Sequence, residues 1–114
     1  GGIVPVVNAA RVLALEIRYL DSTNTFDRLR RAAAAIPEMR GPIDGALEAY
    51  QYLVDFRLES QLRAVEAGDA PLNLIDAAAL NRMQQRLVRN AFGKAADLLD
   101  ALAKRYELGR RWLG

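Results

Sequence analysis

The 114-residue chain has no cysteine and no histidine. Together these absences remove thiol nucleophiles, disulfides, imidazole bases and the usual zinc ligands. Proline (4) and glycine (8) are sparse, so little interrupts a long helix. No stretch approaches the roughly 18 to 20 uninterrupted apolar residues that a membrane helix needs. The N-terminus also lacks the basic and then apolar pattern of a secretion signal. No membrane association is expected, and a cytoplasmic location is. A Gly-rich phosphate loop, an internal repeat and a low-complexity tract are all missing.

What remains is rich in good helix formers. Alanine occurs 20 times and leucine 17 times, against 12 for valine and isoleucine together, which favours an all-α fold. The size fits one domain spanning residues 1–114. Net charge is only +2, although the sequence pI is near 9.3, because 14 of the 16 bases are arginine. Acids alternate with bases almost throughout, and only Lys104, Arg105, Arg110 and Arg111 form a basic cluster. Nucleic acid is therefore not the expected partner.

Periodicity and punctuation divide the chain into four helical segments. The first spans about Val4 to Tyr19, with Pro5 in its opening turn. After the turn Asp21-Ser22-Thr23-Asn24, a shorter helix runs from Thr25 to about Ala35, capped by Asn24 and stopped by Pro37. Gly41-Pro42 opens a long third helix from Ile43 to about Ala67, which ends at Gly68. Residues 68–74 form a loop. Asp76 then caps a fourth helix reaching about Leu108, with Ile75 and Leu80 at the spacing of a hydrophobic staple. Short connections favour a four-helix up-and-down bundle with a shorter second helix.

Two departures from amphipathic order stand out. In the third helix Ile43, Ala46, Leu47, Tyr50, Leu53, Val54, Leu58 and Val65 share one side, yet Arg57 and Gln61 project from the middle of it. A guanidinium there must be paired or must line a cavity. It is either a structural arginine tied to helix-end carbonyls or to Asp76, or a five-donor fork for an anionic or carbonyl-rich ligand, with Gln61 beside it. In the first helix Val6, Ala10, Leu13, Ala14, Ile17 and Leu20 make one face. Val12 and Leu15 lie opposite, and Arg11, Leu15 and Arg18 form a candidate docking stripe unless the second helix covers that side. The fourth helix carries a core stripe from Leu80 through Met83, Leu87, Val88, Ala91, Ala95, Leu98 and Leu102 to Tyr106. Its Gln84, Lys94 and Arg105 lie on or near that face and could reach a polar pocket, but are read first as solvated flanks.

Catalysis by this chain alone is not expected. Its carboxylates form no compact inward pair, the Gly-Ser and Asp-x-Asp constellation of nucleotidyl transfer is absent, and Ser22 and Ser60 have no histidine to activate them.

Several motifs together resemble one family. The opening Gly2-Ile3-Val4-Pro5-Val6-Val7 with Ala10-Arg11 and Ala14-Leu15, then Thr25 with Arg28-Leu29, is similar to the nucleotidyltransferase substrate-binding domains. The same holds for Ala49-Tyr50, Leu53, Arg57-Leu58 and Gln61-Leu62, and for Gly68, Asn73, Ile75-Asp76 and Leu80, where Ala77 replaces a common proline. The resemblance implies a non-catalytic helical bundle of bacterial or archaeal signalling proteins. It also implies a catalytic nucleotidyltransferase domain N-terminal to it in the same chain, often with CBS and cyclic-nucleotide-binding modules. This chain would then be an excised part of a longer protein, binding no cofactor itself. Magnesium and a nucleoside triphosphate would belong to the catalytic domain. Substrate contacts are expected from Arg57 and Gln61 first, then Arg28, Arg11 and Asn73. The alternative is a structural module for dimerisation or interdomain signalling, and a homodimer is a further expected partner.

Overall fold

The computed structural model describes residues 3–69 and 80–113, with side chains of the last helix described through Glu107. Four α-helices and no strands occur among these residues: α1 (Ile3–Glu16), α2 (Thr25–Ala35), α3 (Arg40–Glu66) and α4 (Arg82–Leu113). The all-α class and the short second helix follow the sequence expectation.

Helix ends show which local signals prevailed. At the start of α2 the Asn24 Oδ1 accepts from the Asp27 backbone N–H at 3.0 Å, as a cap should. A single 3-10 turn, Pro37–Met39, leads directly into α3. That helix therefore starts at Arg40, before the predicted Ile43, and Pro42 sits in its first turn, where a missing N–H costs nothing. Its other end is a Schellman closure. Asp69 N–H donates to the Ala64 carbonyl at 2.8 Å and Gly68 N–H to Val65 at 3.0 Å, with Gly68 at φ 79°.

The first helix ends the same way, with a residue that the sequence reading passed over. Tyr19 N–H donates to Ala14 at 2.8 Å and Arg18 N–H to Leu15 at 3.2 Å, while Arg18 takes φ 57° in a glycine-type position. The helix stops at Glu16 rather than Tyr19. Arg18 therefore leaves the helical stripe it was expected to share with Arg11 and Leu15.

The start of α4 is also corrected. Leu80 and Asn81 are not helical, and the helix opens at Arg82. The cap is Asn81, whose Oδ1 accepts from Gln84 N–H at 2.8 Å while the Gln84 Oε1 accepts from Asn81 N–H at 3.0 Å. This reciprocal pair is a capping box with asparagine in the capping role. The expected cap Asp76 and its neighbour Ile75 lie outside the described residues, but a continuous helix from there through Leu80 is excluded. At its far end α4 extends past the predicted Leu108 to Leu113.

Long-range contacts fix the helix directions. Arg105 near the end of α4 holds Glu16 at the end of α1, and Ile3 at the start of α1 packs with Leu53, Val88 and Ala91. α1 and α4 therefore run the same way and α3 runs against both. Tyr19 stacks beneath Arg31, and Ser22 meets Arg28 and Asp27, so residues 17–24 run back along α2 before it begins. The first connection is thus a crossover that sets α2 alongside α1. A tight α1–α2 hairpin of the up-and-down kind would have needed a shorter turn.

The main core draws on every helix. Val6, Leu13, Leu29, Ile43, Ala46 and Leu98 are fully buried in it. A smaller cluster of Ala49, Leu53, Val88 and Ala91 joins α3 to α4. Past it the expected stripe fails: Leu58 and Val65 on α3 and Met83 and Leu87 on α4 are exposed. Met83, assigned to packing, is 72% exposed. No described helix is long and apolar enough to cross a membrane.

Candidate functional site

Arg57 lies on α3 one turn beyond the fully buried Leu53. The side chain is partly buried, and its Nε is shielded from solvent with no hydrogen-bond partner among the described residues. Such a donor costs about 1–3 kcal/mol when left unpaired. The pairing of Arg57 with Asp76 falls outside the described residues. Gln61, one turn further, is half-buried and held by interactions of its own.

The other sequence candidates separate from this pair. Arg28 donates from Nε to the Ser22 carbonyl at 3.0 Å, which fastens the crossover to the start of α2. Arg11 is exposed on α1. Asn73 lies outside the described residues. The second apolar side of α1 stays uncovered by α2, with Val4 and Leu15 more than half exposed (63% and 61%) and Val12 less so.

Arg105 is not the solvated flank the sequence implied. Its Nε and Nη2 bind the Glu16 carboxylate at 2.9 and 3.0 Å, and Nη1 reaches Glu38 at 3.2 Å. This bidentate clamp ties α4 to α1 and to the turn before α3, and the Glu16 hydrogen bond raises the Arg105 pKa above its ordinary value. Beside it the Tyr106 hydroxyl is buried without closing a hydrogen bond of good geometry among the described residues. Burial, and then the Glu16 charge, push its pKa up. Gln84 is spent on the α4 cap. The stem of the exposed Lys94 lies across Gly45, where an added Cβ would come within 3.2 Å of Cδ.

Sequence reasoning missed an open groove of about 500 Å³ on the outer side of α3, lined by Tyr52, Asp55, Phe56, Leu58, Glu59, Leu62 and Gln84. A second hollow of similar size shares Tyr52 and Asp55 and adds Phe26, Arg30 and Glu48. Burial and the nearby Glu59 raise the Tyr52 pKa. The available signal was two i, i+4 pairs, Tyr52 with Phe56 and Asp55 with Glu59, interleaved on one helix. Among the described residues no group of three acids could hold a metal ion.

Residues 1–106 match the family described as "Putative nucleotidyltransferase substrate binding domain". The chain belongs to this family. No curated protein and no solved structure matches it significantly. Within this substrate-binding domain, Arg57 stands out as a partly buried cation whose shielded Nε has no hydrogen-bond partner among the described residues.

Proposed function

We propose that this domain binds and orients the acceptor substrate of a nucleotidyltransferase attached in the same polypeptide, within a cytoplasmic bacterial signalling protein, and performs no bond chemistry itself. The observation that carries the proposal is the Arg57 Nε. It is a buried N–H without a partner among the described residues, on a residue inside the stretch that matches the family. A carbonyl, carboxylate or phosphate oxygen on the acceptor would satisfy that donor, and Gln61 would adjust to a neighbouring polar group. Arg28, Arg11 and Asn73 are secondary candidates for the same ligand.

Position along the bundle supports this division of labour. Ile3 packs against the cluster that contains Leu53, which lies one turn from Arg57. A catalytic domain joined ahead of α1 would emerge close to the guanidinium and would rest on the uncovered Val4 and Leu15 face. Its own acids would hold magnesium and the nucleoside triphosphate. This domain would raise the effective concentration of the acceptor beside them. CBS or cyclic-nucleotide-binding modules would add control from further upstream.

Arg57→Met in the full-length protein tests the proposal. The expected variant melts no lower than the parent and loses at least tenfold in nucleotidyl transfer, with the loss mainly in KM for the acceptor. A large drop in stability with full activity in the folded fraction would make Arg57 structural. Parental transfer in an equally stable variant would refute the role.

A further inference from the structure

Acids and bases alternate along most of the chain, but not in the first half of α4. From Asn81 to Ala96 the sequence carries Arg82, Arg86, Arg89 and Lys94 and no acid. All four are exposed, and among the described residues none is held in an ion pair. At 100° per residue the three arginines share an arc of about 60° and span about 10 Å of the helix. That arc lies opposite the buried Val88, Ala91 and Ala95. One turn beyond Arg89, at the edge of the same face, Phe92 is 38% exposed. Beside its ring the surface is low: no atom lies within 4 Å of where a Gly93 side chain would begin, and Ala96 follows. Acids are accounted for on each side. Further along α4, Asp97, Asp100, Lys104 and Glu107 mix the signs again. On α3, Asp55 and Glu59 line a groove with Gln84, which lies about half a turn round α4 from the arginines. On α1 the first acid is Glu16, which Arg105 holds.

We propose that this face binds single-stranded nucleic acid, with neighbouring phosphates on Arg82, Arg86 and Arg89 and a base stacked on Phe92. A guanidinium is a planar fork that matches phosphate oxygens, and an aromatic ring accepts the π-face of any base. The low surface at Gly93 and Ala96 lets that base lie close to the helix backbone. Gln85 and Asn90, both exposed, flank the arginines with further donors and acceptors. A duplex keeps its bases stacked on one another and out of reach of this ring. A lipid surface needs long apolar side chains among the cations, whereas Met83 and Leu87 fall about 90° or more round the helix from the arginines. An acidic peptide would leave Phe92 without a role. Asp97 and Asp100 repel phosphate, so they end the footprint after a few nucleotides. No residue assigned to the acceptor takes part, so this proposal stands apart from the functional one.

Fluorescence anisotropy with the chain and a labelled strand of about ten nucleotides tests it. Oligothymidylate and oligouridylate should both bind, with dissociation constants of about 1–100 μM near physiological salt, and the tighter of the two names the sugar that is preferred. With three phosphates neutralised, the logarithm of the affinity should fall against that of salt with a slope of about −2. Arg86→Gln and Arg89→Gln should each lower that slope by about 0.7 and weaken binding at least threefold. Phe92→Leu should weaken binding at least fivefold and leave the slope unchanged. Gly93→Gln, which fills the open space beside the ring, should do the same while melting no lower than the parent, so the loss is not one of folding. Absence of binding at about 1 mM chain would overturn the proposal. So would tighter binding of the matching duplex, equal binding of polyglutamate or of phosphatidylserine vesicles, or parental affinity in both Phe92→Leu and Gly93→Gln.

Discussion

Two residues in this domain occupy positions for which their side chains are poorly suited. Arg18 holds the left-handed conformation that closes α1, and a side chain there costs roughly 1 kcal/mol relative to glycine. Arg18→Gly should therefore raise stability by about 0.5–1 kcal/mol in urea titration, although it removes a basic side chain and adds no contact. Tyr106 buries a hydroxyl that closes no hydrogen bond of good geometry among the described residues, with Glu16 beside it. Tyr106→Phe should therefore leave the midpoint at neutral pH unchanged or raise it. The same residue has a pH signature. Its folded pKa is raised, so its contribution is complete below the ordinary tyrosine value near 10 and is lost as pH climbs toward the higher folded pKa. The parent should lose stability above about pH 10 more steeply than the phenylalanine variant. Equal alkaline slopes would show that Tyr106 titrates as it does in the unfolded chain. Arg18 was not legible from periodicity, because it looked like part of a stripe; Tyr106 was rightly read as packing on the core, but nothing in the pattern marked its hydroxyl. Arg57 was legible, because a guanidinium inside an apolar stripe is conspicuous whatever its surroundings.

Helix boundaries depend on groups within a few residues of one another. The sequence therefore located α2 to the residue, through Asn24, Asp27 and Pro37. It missed the start of α4 because the reciprocal Asn81–Gln84 pair that opens this helix was not recognised as a cap. Asn24→Ala should cost about 1 kcal/mol in thermal or urea unfolding. The clamp around Arg105 was illegible for the opposite reason. Its carboxylates come from Glu16 and Glu38, which are 89 and 67 residues away along the chain. Arg105→Met keeps most of the packing volume but strands Glu16 without its bidentate partner. With Arg105 still 31% exposed, solvent screening limits the expected loss to about 1 kcal/mol. That loss should shrink as salt is added, because the partly exposed ion pair is screened. A penalty that stays constant from low to high salt would assign it to packing alone.

Over the whole molecule the apolar contacts fall into two unequal groups, and cooperativity should follow them. The larger cluster takes side chains from α1, α2, α3 and α4, and the smaller joins only α3 and α4, with Ile3 at its edge. The open groove was missed in the sequence for a related reason. The α3 stripe was projected to its end, but α1 and α2 cover only the first part of that helix, so Leu58, Leu62 and Val65 stay exposed. Local opening there should require far less free energy than global unfolding. Leu98→Ala, at a fully buried position, should cost about 2–5 kcal/mol. Leu62→Ala and Met83→Ala, at positions 59% and 72% exposed, should change stability by no more than about 0.5 kcal/mol. Amide hydrogen exchange distinguishes the two regimes within one experiment. In the parent, amides of the main core should exchange only through global unfolding, and those from Ser60 to Glu66 much faster by local opening. Leu98→Ala should then accelerate the core amides strongly while leaving the α3 end almost unchanged. If every amide accelerates by one common factor, the second half of α3 is part of the same cooperative unit as the core, and the exposed groove is held as firmly as the buried contacts.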